Sequence, residues 1–125
     1  MKLHKIQKQK LLAEPFSNDA LKLAKAIYNT YIEDDKNLYM EININIIIRL
    51  LRLQAGDEAV KYIRNLFEEL NEPLLVKEFK FYGEIFPMKF INFCEYTITK
   101  STIEIELNDK FLLAESEYMI DKFLT

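Results

Sequence analysis

The chain has one cysteine and one histidine, so few of its residues could do covalent or metal chemistry. A single cysteine excludes a disulfide framework and any multi-cysteine zinc site. His4 has no Cys, Asp or His beside it at ligand spacing and reads as a solvent-exposed residue of the N-terminal tail. Cys94 lies in an apolar run with no neighbouring His or Lys, the setting of a buried, inert thiol rather than a nucleophile. The acid pairs Glu104/Glu106 and Glu115/Glu117 fall on faces expected to be exposed. They lack the partners that proton transfer or metal binding would need. Gly56 and Gly83 stand alone, so no phosphate-cradling loop is present. The expectation is a non-enzymatic chain with no cofactor, no metal and no small-molecule substrate.

Binding chemistry is better represented. Lys61, Arg64 and Asn65 sit at i, i+3 and i+4, on one side of a helix. Arg and Asn are the side chains that pair bidentately with guanine and adenine in the major groove of duplex DNA. An ordinary solvated helix face, with Arg64 and Glu68 as an i,i+4 ion pair, reads the same residues equally simply. Arg49 and Arg52, one helix earlier, can reach a phosphate backbone or stand as scattered surface charge. Residues 1–10 carry Lys2, Lys5, Lys8 and Lys10 and no acid, and a basic arm of this kind can add phosphate contacts. Against this, the rest of the chain holds 13 bases and 20 acids, a net of −7. Residues 57–72 set Asp57, Glu58, Glu68, Glu69 and Glu72 against Lys61 and Arg64 alone. A helix carrying that charge meets phosphates only if its bases face them and its acids face away.

These residues need a scaffold, and 125 residues with 50% hydrophobic content are enough for one domain with a true core. High apolar content and a net charge of only −3 exclude disorder. The longest apolar run, Ile46–Ile48, is too short to cross a bilayer, and no leader-like segment is evident, so a cytoplasmic location is expected. We divide the chain into a basic tail, 1–17, and a domain, 18–125.

Ser17-Asn18-Asp19 signals a helix start, and the apolar spacing from Leu21 to Ile32 predicts a helix over 18–32. Leu38, Met40 and Ile42 alternate with polar residues as a short strand. Asn43 or Asn45 can then cap a helix whose buried face is Ile44, Ile47, Ile48 and Leu51. A tight turn over Gln54–Asp57, with Asp57 as cap, leads to a helix over 58–70 that Pro73 ends. Beyond it, Leu75, Phe79 and Phe81 are expected on one strand face, and Gly83 and Pro87 bracket a turn or irregular link. Met88–Thr99 reads as one extended strand, apolar on both faces, turning at Lys100-Ser101 into a strand with Ile103, Ile105 and Leu107 inward. Asn108-Asp109 caps a last helix containing Phe111, Tyr118, Met119 and Phe123.

The aromatics Phe79, Phe81, Phe90, Phe93 and Tyr96 admit three readings: core, a dimer interface, or a stacking platform for single-stranded bases. A strand apolar on both faces must cover its second face somewhere, which favours core or a second copy of the chain.

Helix, strand, helix, tight turn, helix and long hairpin is the order of a winged helix, an α+β fold. The segments LYMEININIIIRLLRL, GDEAVKYIRNLFEELNEPLLV and TIEIELNDKFL, within residues 38–125, resemble the N-terminal winged-helix domain of the initiator replication proteins of bacterial plasmids. The resemblance implies double-stranded DNA as partner and a homodimer in which this domain takes part. Initiators of that family carry a second winged-helix domain that supplies much of the sequence-specific contact, and its counterpart is not found in these residues.

Overall fold

The computed structural model describes residues 16–125, as an α+β fold of four helices and two small antiparallel sheets. Polar caps open three of the helices. Ser17 Oγ accepts from the Ala20 N–H at the start of α1 (Asn18–Glu33). Asn43, the last residue of β1 (Tyr39–Asn43), accepts from the Asn45 N–H at 2.9 Å and turns the strand directly into α2 (Ile44–Leu50). Asn108 does the same for α4 (Asp109–Tyr118). Each cap satisfies a backbone donor that the helix itself leaves free.

The α2–α3 turn is built differently from the expectation. Arg52 takes a left-handed conformation (φ 56°), and the Leu53 and Arg52 N–H groups return to the carbonyls of Ile48 and Arg49. That pair of bonds closes α2 with a motif whose left-handed position usually holds glycine. The cap of α3 (Asp57–Leu70) is Gly56, at φ 142°, and not Asp57, which lies inside the first helical turn. Only glycine reaches that backbone conformation without strain.

The three-stranded sheet has the order β1-β5-β4, with β5 (Thr102–Leu107) in the centre and β4 (Cys94–Ile98) on its far side. Register brings Ile42, Ile103 and Ile98 into one cross-strand row and Met40, Ile105 and Tyr96 into the next. This face packs into the core with Leu23 and Ile27 of α1 and Ile63, Phe67 and Leu70 of α3. Phe67 is fully buried and stacks on Tyr96 at 4.6 Å between ring centres. The opposite row of the sheet pairs Glu41 with Glu104 and Glu95 with Glu106, so the outer sheet face carries four acids.

Residues 74–98 depart most from the reading of one long strand. Met88–Thr99 is broken at Asn92-Phe93. The part before the break is β3 (Glu84–Ile91), which pairs with β2 (Leu74–Phe81) in a separate hairpin turning at Tyr82-Gly83. Pro87 therefore lies within a strand rather than at a turn; β3 pairs on one side only, where proline is tolerated. The buried face of β2 also changes phase. Leu74 and Val76 point inward, then Glu78 adopts φ 53° opposite Pro87, and Phe79 takes the inward place. Leu75, Phe79 and Phe81 consequently do not share one face. Tyr118 Oη sits at this irregularity, accepting from the Lys80 N–H at 2.8 Å and lying 3.4 Å from the Glu78 carbonyl.

Helix α4 ends at Tyr118, so Met119 and Phe123 belong to the segment that follows. Glu115 is completely buried, against the expectation of an exposed acid pair. Its Oε1 accepts from the N–H groups of Phe123 (2.8 Å), Leu124 (3.1 Å) and Thr125 (3.5 Å), and Oε2 from Thr125 Oγ1 (2.8 Å). Phe123 is thereby wedged between Phe16 and Phe111. Glu115→Ala removes the acceptor for these donors. We expect a loss of about 2–3 kcal/mol in urea unfolding, with amide exchange accelerated first at residues 123–125.

Candidate nucleic-acid interface

An open groove of about 1040 Å³ runs between the start of α2, the start of α3 and the β4–β5 turn. Its floor is apolar: Ile44 and Ile48 from α2, Val60 from α3 and Ile98 from β4. Its walls carry Lys61 and Arg64 from α3, Lys100 from the turn, Asn45 from α2, and Asp57 and Glu58 from the first turn of α3. All six of these polar side chains are exposed.

The helix phase of α3 explains the placement. Ala59, Ile63, Leu66, Phe67 and Leu70 are its buried stripe. Lys61 and Arg64 emerge on the flank beside β4, where Arg64 works against, and Glu68 with, the burial that raises the Tyr96 hydroxyl above its ordinary pKa. On the other flank, Tyr62 donates to Asp19, and Glu69 accepts from the Ser17 N–H (2.7 Å) and Oγ (2.9 Å). Glu69 is thus engaged with the cap of α1, on the flank of α3 away from the groove.

The sequence-predicted binding residues separate into groups. Lys61 and Arg64 meet in the groove. Asn65 is exposed but does not line it, because it points outward between the two flanks of α3. Arg49 and Arg52 are exposed at the C-terminal end of α2, away from the groove lining, and Arg52 serves the helix stop. Lys2, Lys5, Lys8 and Lys10 lie outside the described residues. Lys100 was missed as a binding residue. Its only sequence signal is a cation at the tip of a strand-to-strand turn, and nothing local shows that this tip faces α3.

The aromatic set is also divided. Phe79 and Phe93 are fully buried within the chain, so they have no surface to offer a second copy. Tyr96 is half-buried against Phe67, and Phe81 is half-buried with Lys110 Nζ 4.8 Å above its ring. Phe90 is 64% exposed, and around the same hairpin Tyr82 (88%), Ile85 (62%) and Met88 (60%) are exposed too. Of these exposed residues only Phe90 belongs to the sequence-predicted set.

Cys94 is buried as expected, and its sulfur lies 3.5 Å from the Asn71 Nδ2 donor. Asn71 also accepts from the Cys94 N–H (2.8 Å) and donates to the Phe67 carbonyl (2.9 Å), tying the end of α3 to the start of β4. Among the described residues no group of three or more His, Cys, Asp or Glu could hold a metal ion, and no helix is long and apolar enough to cross a membrane.

Burial raises the Cys94 thiol from its ordinary 9.0 to about 11. The folded state therefore keeps a proton that the unfolded chain releases above pH 9, and the stability this provides is lost as pH rises from 9 to 11. Denaturant midpoints measured across that window should fall, and Cys94→Ala should remove this component of the fall.

No family model, curated protein or solved structure matches the chain.

Proposed function

We propose that the chain is a non-enzymatic winged-helix module that binds double-stranded DNA, with α2 and α3 as the helix-turn-helix and the β4–β5 hairpin as the wing. In this reading the domain serves replication initiation, as in the plasmid initiators that its sequence resembles. The observation that carries the reading is the convergence of Lys61, Arg64 and Lys100, from a helix and a separate turn, on one open groove. Charge supports the same side for DNA. The outer sheet face, with Glu41, Glu95, Glu104 and Glu106, would repel phosphates, whereas the groove sets three bases against the two acids Asp57 and Glu58.

Three phosphate contacts give a shallow but measurable salt dependence, a slope of about −3 in log K against log salt for the folded domain alone. Fluorescence anisotropy with labelled duplex should show it. Lys61→Ala, Arg64→Ala and Lys100→Ala should each weaken binding and lower the slope by about 1. Affinity that ignores salt and all three substitutions would refute this assignment.

A second reading rests on the exposed hairpin residues Tyr82, Ile85, Met88 and Phe90, which a second copy of the chain could cover. Pro87 in β3 blunts strand-to-strand addition at that edge, so such a pair would form through side-chain faces. Sedimentation equilibrium should then find dimers that Phe90→Lys converts to monomers; a wild-type chain monomeric at all concentrations would remove this reading.

A further inference from the structure

Among the described residues, two open sheet faces carry opposite charge. The first is the outer face of the β2–β3 hairpin. Register sets Leu75 beside Phe90, Lys77 beside Met88 and Lys80 beside Ile85. Leu75 is half-buried and the other five are exposed. The inward side holds Leu74, Val76, Phe79 and Ile91, all buried. No carboxylate stands in the three outer rows. The second is the outer face of the three-stranded sheet. There Glu104 lies between Glu41 and Thr97, and Glu106 between Tyr39 and Glu95. No lysine or arginine stands in those two rows.

The hairpin's edges do not suit a further strand. Pro87 has no N–H to offer along β3, and on β2 the Lys80 N–H is taken by Tyr118 Oη. An occupant therefore lies across the side chains. It has to cover Ile85, Met88 and Phe90 and also answer two ammonium groups. A second hairpin laid on the first fails the latter requirement, because it gathers four lysines in one desolvated contact.

The acidic sheet face meets both requirements. Glu104 and Glu106 stand about 7 Å apart along β5, and Lys77 and Lys80 about 10 Å apart along β2. Long side chains on both surfaces absorb that difference. The Tyr39 ring, 47% exposed, and the glutamate methylenes offer apolar surface to the hairpin. Opposed glutamates cost the lone chain stability, and lysines from another chain relieve that cost. Resting on the second reading above, in which another copy covers the hairpin, we propose that this copy does so with its outer sheet face. Lys77 and Lys80 of one chain pair with Glu41, Glu95, Glu104 and Glu106 of the next. The contact uses a different face on each chain, so a dimer keeps one free face of each kind and assembly continues as concentration rises.

The test is sedimentation equilibrium of the full chain, without DNA, at low and high salt. The wild type should associate, and less so in high salt. Lys77→Glu/Lys80→Glu and Glu41→Lys/Glu104→Lys should each weaken association at least about tenfold, since each sets like charges face to face. An equimolar mixture of the two variants should associate again, because each retains the face that the other has lost. Far-UV circular dichroism checks the fold of each, and Glu41→Gln/Glu104→Gln replaces the lysine variant if that one unfolds.

Association that Phe90→Lys abolishes but the glutamate substitutions leave intact would overturn the sheet-face contact and leave the second reading standing. A variant mixture that stays monomeric would also overturn the contact. A wild-type chain monomeric at every concentration would overturn both. Binding of such a monomer to phosphatidylserine vesicles, or to a single-stranded oligonucleotide, with loss in Lys77→Glu/Lys80→Glu, would give the hairpin face to that anion instead.

Discussion

Burying Ile103, Ile105 and Leu107 along one face of β5 obliges β1 and β4 to lie on either side of it. Strand alternation leaves no freedom here, because a slip of one residue would bring Glu104 and Glu106 into the core. With that register set, Ile42 and Ile98 flank Ile103, Met40 and Tyr96 flank Ile105, and the sheet presents one continuous apolar surface. Helix α3 lies on that surface through Phe67, whose ring stacks on Tyr96. The groove follows from this packing: α3 and the β4–β5 turn stand together because Phe67 and Tyr96 do.

The same register accounts for where the charge goes. Turning the apolar row inward sends Glu41, Glu95, Glu104 and Glu106 outward as opposed pairs. Like charges facing each other across strands cost stability, and the register keeps these four acids off the sheet face that packs into the core. On α3 itself, Tyr62 with Asp19 and Ser17 with Glu69 fasten the opposite flank to α1. Strand register thus sets where the sheet acids lie, and the buried stripe of α3 sets the exposure of Lys61 and Arg64.

Much of the fold was legible residue by residue. Ser17, Asn43 and Asn108 announced helix starts, and Ile103, Ile105 and Leu107 announced a half-buried strand, because these signals are local. The break at Asn92-Phe93 was not legible. Apolar residues on both sides of Met88–Thr99 erase the period, and the two halves find different partners, β2 and β5, far away in sequence. Glu115 misled for a related reason: a charged residue near a helix end reads as exposed until the chain returns to supply the N–H groups of Phe123, Leu124 and Thr125. In the candidate site, Lys61 and Arg64 followed from helical spacing. Lys100, Asp57 and Glu58 gained meaning only when the β4–β5 turn was placed beside α3.

Backbone amide chemical shifts followed during titration with duplex DNA test the central claim most directly. The account predicts perturbations confined to residues 44–48, 55–64 and 98–100, with the β2–β3 hairpin tip unaffected. Perturbations centred on the outer sheet face around Glu41 and Glu104, or on Tyr82 to Phe90 instead of the groove, would contradict it.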